Sequence, residues 1–241
     1  MQHFNRFEQP IGHPISHWKV PPCPSRIALA GKYCSVQPLV AKLHAGDLYE
    51  ADAEDRDGTS WTYLPYGPFP SLMAYEDWIS ATCQGDDPMF FAIIDFSFGK
   101  PVGVASYLRI IPESGSIEVG HVHYSPSLQR SRAATEAMYL MMKNAFDLGY
   151  RRYEWKCDSL NAPSCAAANR LGFFFEGIFR QATIYRGRNR DTAWYSIIDS
   201  EWPQLEGAFT EWLSDSNFDQ DGNQRVALSK LTLAGMERAA R

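Results

Sequence analysis

Residues 125–138, SPSLQRSRAATEAM, join a proline turn to two arginines, Arg130 and Arg132, and then to small residues able to open a helix. A helix start presents unpaired N–H groups and a partial positive charge, and arginine adds a planar fork of donors suited to phosphate. The chemistry favoured is a phosphate cradle; on residue types alone the alternative is an arginine-decorated helix start facing solvent. Just upstream, SIEVGHVHY alternates like a strand and sets His121 and His123 on one face. That spacing could hold a metal, but no nearby carboxylate or cysteine completes a set, so no metal is expected.

The five cysteines, Cys23, Cys34, Cys83, Cys157 and Cys165, form no CxxC pair and are odd in number. Neither a disulfide framework nor a zinc knot fits them, and buried thiols are the expectation for Cys157 and Cys165. A net charge of −5 conceals an asymmetry: residues 130–190 carry eleven Lys and Arg against five Asp and Glu, and the rest of the chain is strongly acidic. A compact basic segment in an acidic protein points to a small polyanion rather than to nucleic acid. No run of about 18 apolar residues occurs, and MQHFNRFEQPIGHP lacks the apolar core of a secretory signal, so neither membrane nor export is expected and the location expected is the cytoplasm.

The elements that must position these residues follow from periodicity. Residues 1–31 read as an irregular Pro-, His- and Gly-rich arm, 32–200 as the main domain, and 201–241 as a C-terminal helix and tail. KYCSVQPL predicts a first strand; helices follow over about 38–53 and in SLMAYEDWISATCQ, capped by Ser71. MFFAIID and PVGVASYLRII predict a hairpin, with SIEVGHVHY beside it. A helix from Leu128 to Leu148, closed by Gly149, leads to the strand YRRYEWKC, then to the helix APSCAAANRL, closed by Gly172. Two long strands, FFFEGIFRQATIY and DTAWYSIID, are joined by the basic turn RGRNR, and an amphipathic stretch runs from Leu228 to Met236.

This α/β order carries local signatures. IEVGHVHYSPSLQRSRAATEAM, NAPSCAAANRLGFFFEG and RNRDTAWYSIID together resemble the GNAT superfamily of acyl-CoA-dependent N-acyltransferases, most nearly its ribosomal-protein N-terminal acetyltransferase (RimJ/RimL-like) branch. The resemblance spans about residues 32–200. It implies a GNAT fold: a mixed, mostly antiparallel twisted sheet with a splayed central strand pair, flanked by helices. The pantetheine of coenzyme A would enter the splay and pair with Val122, His123 and Tyr124. The pyrophosphate would sit on the loop Gln129, Arg130, Ser131, Arg132, Ala133, Ala134. Arg132 stands where the family pattern has glycine, so either its backbone stays helical and its guanidinium turns to a phosphate, or the loop is distorted.

Amide formation from a thioester needs a proton acceptor for the amine, donors for the oxyanion, and an acid for the leaving thiolate. By resemblance Glu118 is the first candidate base and Glu176 the second, each also readable as an ion-paired strand residue. A backbone N–H near Val122 would serve the oxyanion. The family's tyrosine acid is replaced by Ala168, and the branch's serine falls at Ser164, with Asn161 as a pantetheine contact. The activity implied is transfer of an acetyl group from acetyl-CoA to a primary amine, either a protein N-terminus or a small molecule, without metal. A catalytically silent acyl-CoA-binding module is the alternative. The aromatic loop WTYLPYGPF reads equally as a ligand wall or a packed lid, and nothing in the chain sets the oligomeric state.

Overall fold

The computed structural model describes residues 2–239. A small hairpin, β1 (His3–Phe4) against β2 (Pro10–Ile11), lies in the N-terminal arm, and β3 (Leu29–Ala30) at the arm's end already pairs with β4 (Cys34–Pro38). Then come α1 (Ala41–Asp52), α2 (Leu72–Thr82), β5 (Met89–Asp95), β6 (Lys100–Ile111) and β7 (Ser116–Tyr124). They are followed by α3 (Arg132–Asp147), β8 (Arg152–Asp158), α4 (Ala162–Arg170), β9 (Phe174–Tyr185), β10 (Arg188–Ile198), α5 (Trp202–Leu213) and α6 (Leu228–Ala239).

The main sheet runs β3-β4-β5-β6-β7-β8-β10-β9. Its pairs are antiparallel except β7 with β8, which is parallel. The continuous apolar run of β5 reflects burial on both faces. Met89, Phe91 and Ile93 face a core built with Ala137, Met138 and Met141 of α3, while Phe90 and Ala92 face a second core with Leu48 of α1 and Tyr75 and Ile79 of α2. Helices α1 and α2 therefore cover one face of the sheet, and α3 covers the other.

The helix starts are set by side chains that satisfy orphan N–H groups, each worth about 1 kcal/mol. Ser71 Oγ accepts from Ala74 N at 3.2 Å, Ser131 Oγ from Ala134 N at 2.9 Å, and Asn161 Oδ1 from Ser164 N at 3.1 Å. Helix α3 begins at Arg132, four residues later than the sequence pattern predicts. Arg130 adopts a φ of 61°, which breaks the helix, and Ser131 then caps it. Glu136, one turn into α3, is buried and accepts from the backbone N–H groups of Lys32, Tyr33 and Cys34 at 2.8, 2.7 and 2.8 Å. One carboxylate thus ties the first strand of the main domain to α3.

Candidate active site

Strands β7 and β8 pair only from Ser116 with Arg152 to Val119 with Trp155. Beyond that point β7 stays on β6, through His123 with Val104 and Tyr124 with Gly103, while β8 stays on β10, through Lys156 with Trp194 and Asp158 with Thr192. The cause is a bulge in β7, where His121 has a φ of 50° and the register against β6 shifts. Two facing strand edges are left open over Gly120–Tyr124 and Lys156–Asp158. Such a gap admits an extended ligand that pairs with backbone as an added strand. Val122, His123 and Tyr124 lie on this edge, although the Tyr124 carbonyl already accepts from Gln129 Nε2 at 3.1 Å.

The β7 edge leads directly into the turn before α3. Leu128 N and Gln129 N both donate to Ser125 O, and Arg130 is exposed. The amides of Arg132 and Ala133 are the first two of α3, where no intrahelical acceptor exists. The expectation for Arg132 divides. Its backbone is helical, as the first alternative required, but its guanidinium stacks on the Phe218 ring at 3.5 Å and lies 5.6 Å from the Tyr33 ring. An arginine packed between Phe218 of the C-terminal segment and Tyr33, just before β4, is engaged by aromatic rings rather than left free for a phosphate. The exposed arginine of this turn is Arg130.

At the closed end of the gap, Trp155 Nε1 donates to Ser164 Oγ at 3.0 Å. Ser164 is held there because Asn161 caps α4 and fixes the helix's first turn beside the end of β8. Cys157 and Cys165 sit alongside with their sulfurs 3.6 Å apart, both as free thiols. Burial pushes the Cys157 thiol up to about 12, against the Ser164 hydroxyl facing it, so this thiol is a poor nucleophile.

Glu118 and Glu176 lie on the opposite face, inside a ladder of charges that spans five strands, β6 to β9, with charged members from four of them. Glu118 accepts from Arg109 through Nε at 2.6 Å and through Nη2, and from Lys156 Nζ at 2.9 Å. Lys156 also meets Glu154 at 2.7 Å, and Arg152 joins Glu154 at 2.5 Å to Glu176 at 2.7 and 2.5 Å. Ser196 Oγ donates to Glu176 at 2.9 Å. Three cations and three carboxylates balance. Glu118 is 2% exposed with its oxygens committed to cations, and the Arg152 guanidinium holds the Glu176 carboxyl below its ordinary range. Neither carboxylate is free in this arrangement: both candidate bases are ion-paired within the ladder, the alternative reading that the sequence also allowed.

The α1–α2 side brings together residues that the sequence pattern did not connect. His121 Nδ1 lies 3.0 Å from the Tyr66 hydroxyl. His123 is buried, stacked on Trp61 with centroids 3.6 Å apart, with Nε2 3.0 Å from Ser60 Oγ and Nδ1 3.5 Å from Asp52 Oδ1. Burial pushes both imidazoles down to about 4. Burial, then the nearby Asp55, pushes the Asp52 carboxyl up to about 7. Asp52 lines a cleft of about 260 Å³ with Asp55, Asp57, Trp61, Phe69 and Tyr75. Among the described residues no group of three or more His, Cys, Asp or Glu could hold a metal ion.

Two ties close this side. Tyr63 donates to Leu160 O at 3.0 Å, and Arg186 in the β9–β10 turn donates to Tyr66 O at 3.0 Å and Gly67 O at 2.6 Å. Trp61, Tyr66, Phe69, Tyr75 and Trp78 stack on one another, so the aromatic loop is a packed lid. Asp52 escaped notice because it lies inside an acidic stretch, GDLYEADAED, that reads as a solvated helix face, and Arg186 because a basic turn reads the same way. Among the described residues no helix is long and apolar enough to cross a membrane.

No curated protein gives a significant match to the chain. Among solved structures, a GCN5-related N-acetyltransferase from Brucella melitensis is 43% identical with a TM-score of 0.88, covering 90% of this chain and 99% of that one. A GNAT-family protein from Chromobacterium violaceum is 40% identical with a TM-score of 0.75, covering 81% and 98%. The ribosomal L7/L12 α-N-protein acetyltransferase RimL shares the fold at 20% identity and a TM-score of 0.61, over 71% and 93%. The acetyltransferase (GNAT) domain family matches residues 36–174. With that match, the two relatives above 40% identity or at it, and the parted β7 and β8 edges, the chain belongs to the GNAT acetyltransferase family, whose members draw their acetyl group from acetyl-CoA.

Proposed function

We propose that the protein transfers an acetyl group directly from acetyl-CoA to the primary amine of a small molecule. The observation that carries the reading is the pair of unpaired edges, Gly120–Tyr124 and Lys156–Asp158, with the Ser164 hydroxyl at the closed end and the α3 N-terminus at the other. Pantetheine pairs along Val122 and His123, and the pyrophosphate rests on the amides of Arg132 and Ala133 with Arg130 as its charged partner. Gln129, Ser131 and Ala134 shape that turn through the Tyr124 carbonyl and the helix cap rather than through the ligand. Asn161 borders the pantetheine, and an N–H near Val122 serves the oxyanion.

As the C–S bond breaks, the leaving thiolate receives a hydrogen bond from Ser164, whose oxygen is already oriented by Trp155. The small-molecule acceptor is favoured over a protein N-terminus by the two ties of Tyr63 and Arg186, which hold the aromatic loop to Leu160 and to the β9–β10 turn and so narrow the approach for a peptide. The test is thiol release from acetyl-CoA against a panel of small amines and N-terminal peptides. Release with small amines supports the reading, and release with peptides alone overturns the acceptor class.

A further inference from the structure

An amine in water arrives as an ammonium ion and must lose a proton before it attacks a thioester. The ladder commits Glu118 and Glu176 to arginine and lysine, so the proton needs another acceptor. The geometry around His123 supplies one. Ser60 Oγ carries a single hydrogen and donates it to Asp55 Oδ2 at 2.6 Å. Toward His123 Nε2, 3.0 Å away, Ser60 can then only accept, so Nε2 bears the imidazole hydrogen. A neutral ring in this tautomer turns a lone pair at Nδ1 toward Asp52 Oδ1, 3.5 Å off. Two acceptors face each other across a gap that one proton would fill.

The ring cannot easily turn to escape this arrangement. It is 4% exposed and stacked on Trp61. Asp52, by contrast, reaches the cleft, where the partly exposed Phe69 ring, packed against the buried Trp61 and Tyr75, offers an apolar face to an alkylammonium. The charged and titratable groups that face Asp52 are His123 from β7, Tyr75 from α2 and Asp55 from the following loop, with Arg56 and Asp57 further along the cleft wall.

We propose that Asp52, backed by His123 and Ser60, is the proton acceptor for an alkylammonium substrate that enters this cleft. The inference rests on the acetyl-transfer reading above. The ammonium gives one proton to the Asp52 carboxylate, whose new O–H points at His123 Nδ1. The freed nitrogen lone pair forms the C–N bond to the acetyl carbon, the C–S bond breaks, and the second nitrogen proton passes to the departing thiolate. The proton on Asp52 returns to water through the cleft. His123 is a positioning residue in the proton step, since its ring does not touch the amine.

Two measurements test this. Long-range proton–nitrogen NMR on histidine-labelled protein reads the tautomer, with the His123 signal identified by its loss in His123→Gln. The expected spectrum shows hydrogen on Nε2 from pH 5 to 9, with a chemical-shift inflection near neutral pH that disappears in Asp52→Asn. Hydrogen on Nδ1 would overturn the proposal. The second measurement is the pH profile of thiol release from acetyl-CoA with n-butylamine or 1,4-diaminobutane as the probe. Asp52→Asn is expected to lower kcat by about 100-fold or more, to flatten the acidic limb, and to leave KM for acetyl-CoA unchanged. A wild-type profile in that variant overturns the proposal. If the wild-type protein neither binds acetyl-CoA nor releases thiol, the acetyl-transfer reading fails, while the NMR result still decides the proton slot.

Discussion

Trp155 donates its indole N–H to the hydroxyl of Ser164 at 3.0 Å, and Trp155 is the last residue of β8 to pair with β7. One hydrogen bond thus joins the last paired residue of β8 to the hydroxyl proposed to serve the leaving group. Replacing Ser164 with alanine removes a donor to a developing thiolate, an interaction worth about 1.5–3 kcal/mol when one partner is charged. Ser164→Ala is expected to lower kcat by about 10- to 100-fold with little change in acetyl-CoA affinity, read by steady-state kinetics and calorimetry. Equal, small effects on both would remove Ser164 from the chemistry.

Arg130 and Arg132 are two residues apart and are expected to behave differently. Arg130 is exposed beside the α3 N-terminus, so Arg130→Ala should weaken acetyl-CoA binding about 10-fold and lessen its salt dependence. Arg132 is stacked on Phe218, so Arg132→Gly should leave affinity within about 3-fold and cost about 1 kcal/mol of stability through the lost cation–π contact. Calorimetric titration and thermal melts separate the two.

The charge ladder predicts a stability defect. Glu118→Gln leaves Arg109 and Lys156 facing a neutral group in a site where Glu118 was 2% exposed, and breaking a buried pair this way costs about 3–5 kcal/mol. The melting temperature should fall by several degrees. With Asp52 proposed as the proton acceptor, the acidic limb of the pH–rate profile should stay in place. Loss of that limb in Glu118→Gln would return Glu118 to the role the sequence suggested.

Asp52 ties function to stability with a definite sign. Its carboxyl holds a proton in the folded protein up to about 7, against an ordinary value of 3.8. Below about pH 4 the group is protonated in folded and unfolded chains alike. Between the two values the unfolded chain ionises and the folded one does not, so stability falls as pH rises and levels off above 7. The loss is on the order of 4 kcal/mol. Asp52→Asn should therefore melt higher than wild type at pH 8 and close to wild type at pH 4. A variant less stable at pH 8 would contradict the burial argument.

Much of the architecture is legible in the sequence because its signals are local. MFFAIID has no polar alternation because β5 is covered on both faces, and Ser71, Gly149 and Gly172 mark helix ends by chemistry that acts within one turn. The start of α3 is missed because Arg130, with no glycine or asparagine to announce it, takes the left-handed conformation. The candidate site was only half legible for a different reason. Ser164 follows its own cap, Asn161, by three residues, whereas the partners that occupy Glu118 come from β6 and β8, at Arg109 and Lys156. Asp52 and His123 meet only because the β7 bulge and the C-terminal end of α1 are brought together across the sheet face.

The most direct test of the account is whether acetyl-CoA occupies the gap between β7 and β8. Binding to the folded state at about 100 times the dissociation constant stabilises by about 2.7 kcal/mol, a rise in melting temperature of about 5–10 °C for a chain of this size. The account predicts that rise with acetyl-CoA, its reduction in Arg130→Ala, and amine-dependent release of thiol from the same mixture. A melting temperature unmoved by acetyl-CoA at millimolar concentration, with no thiol released, would contradict it.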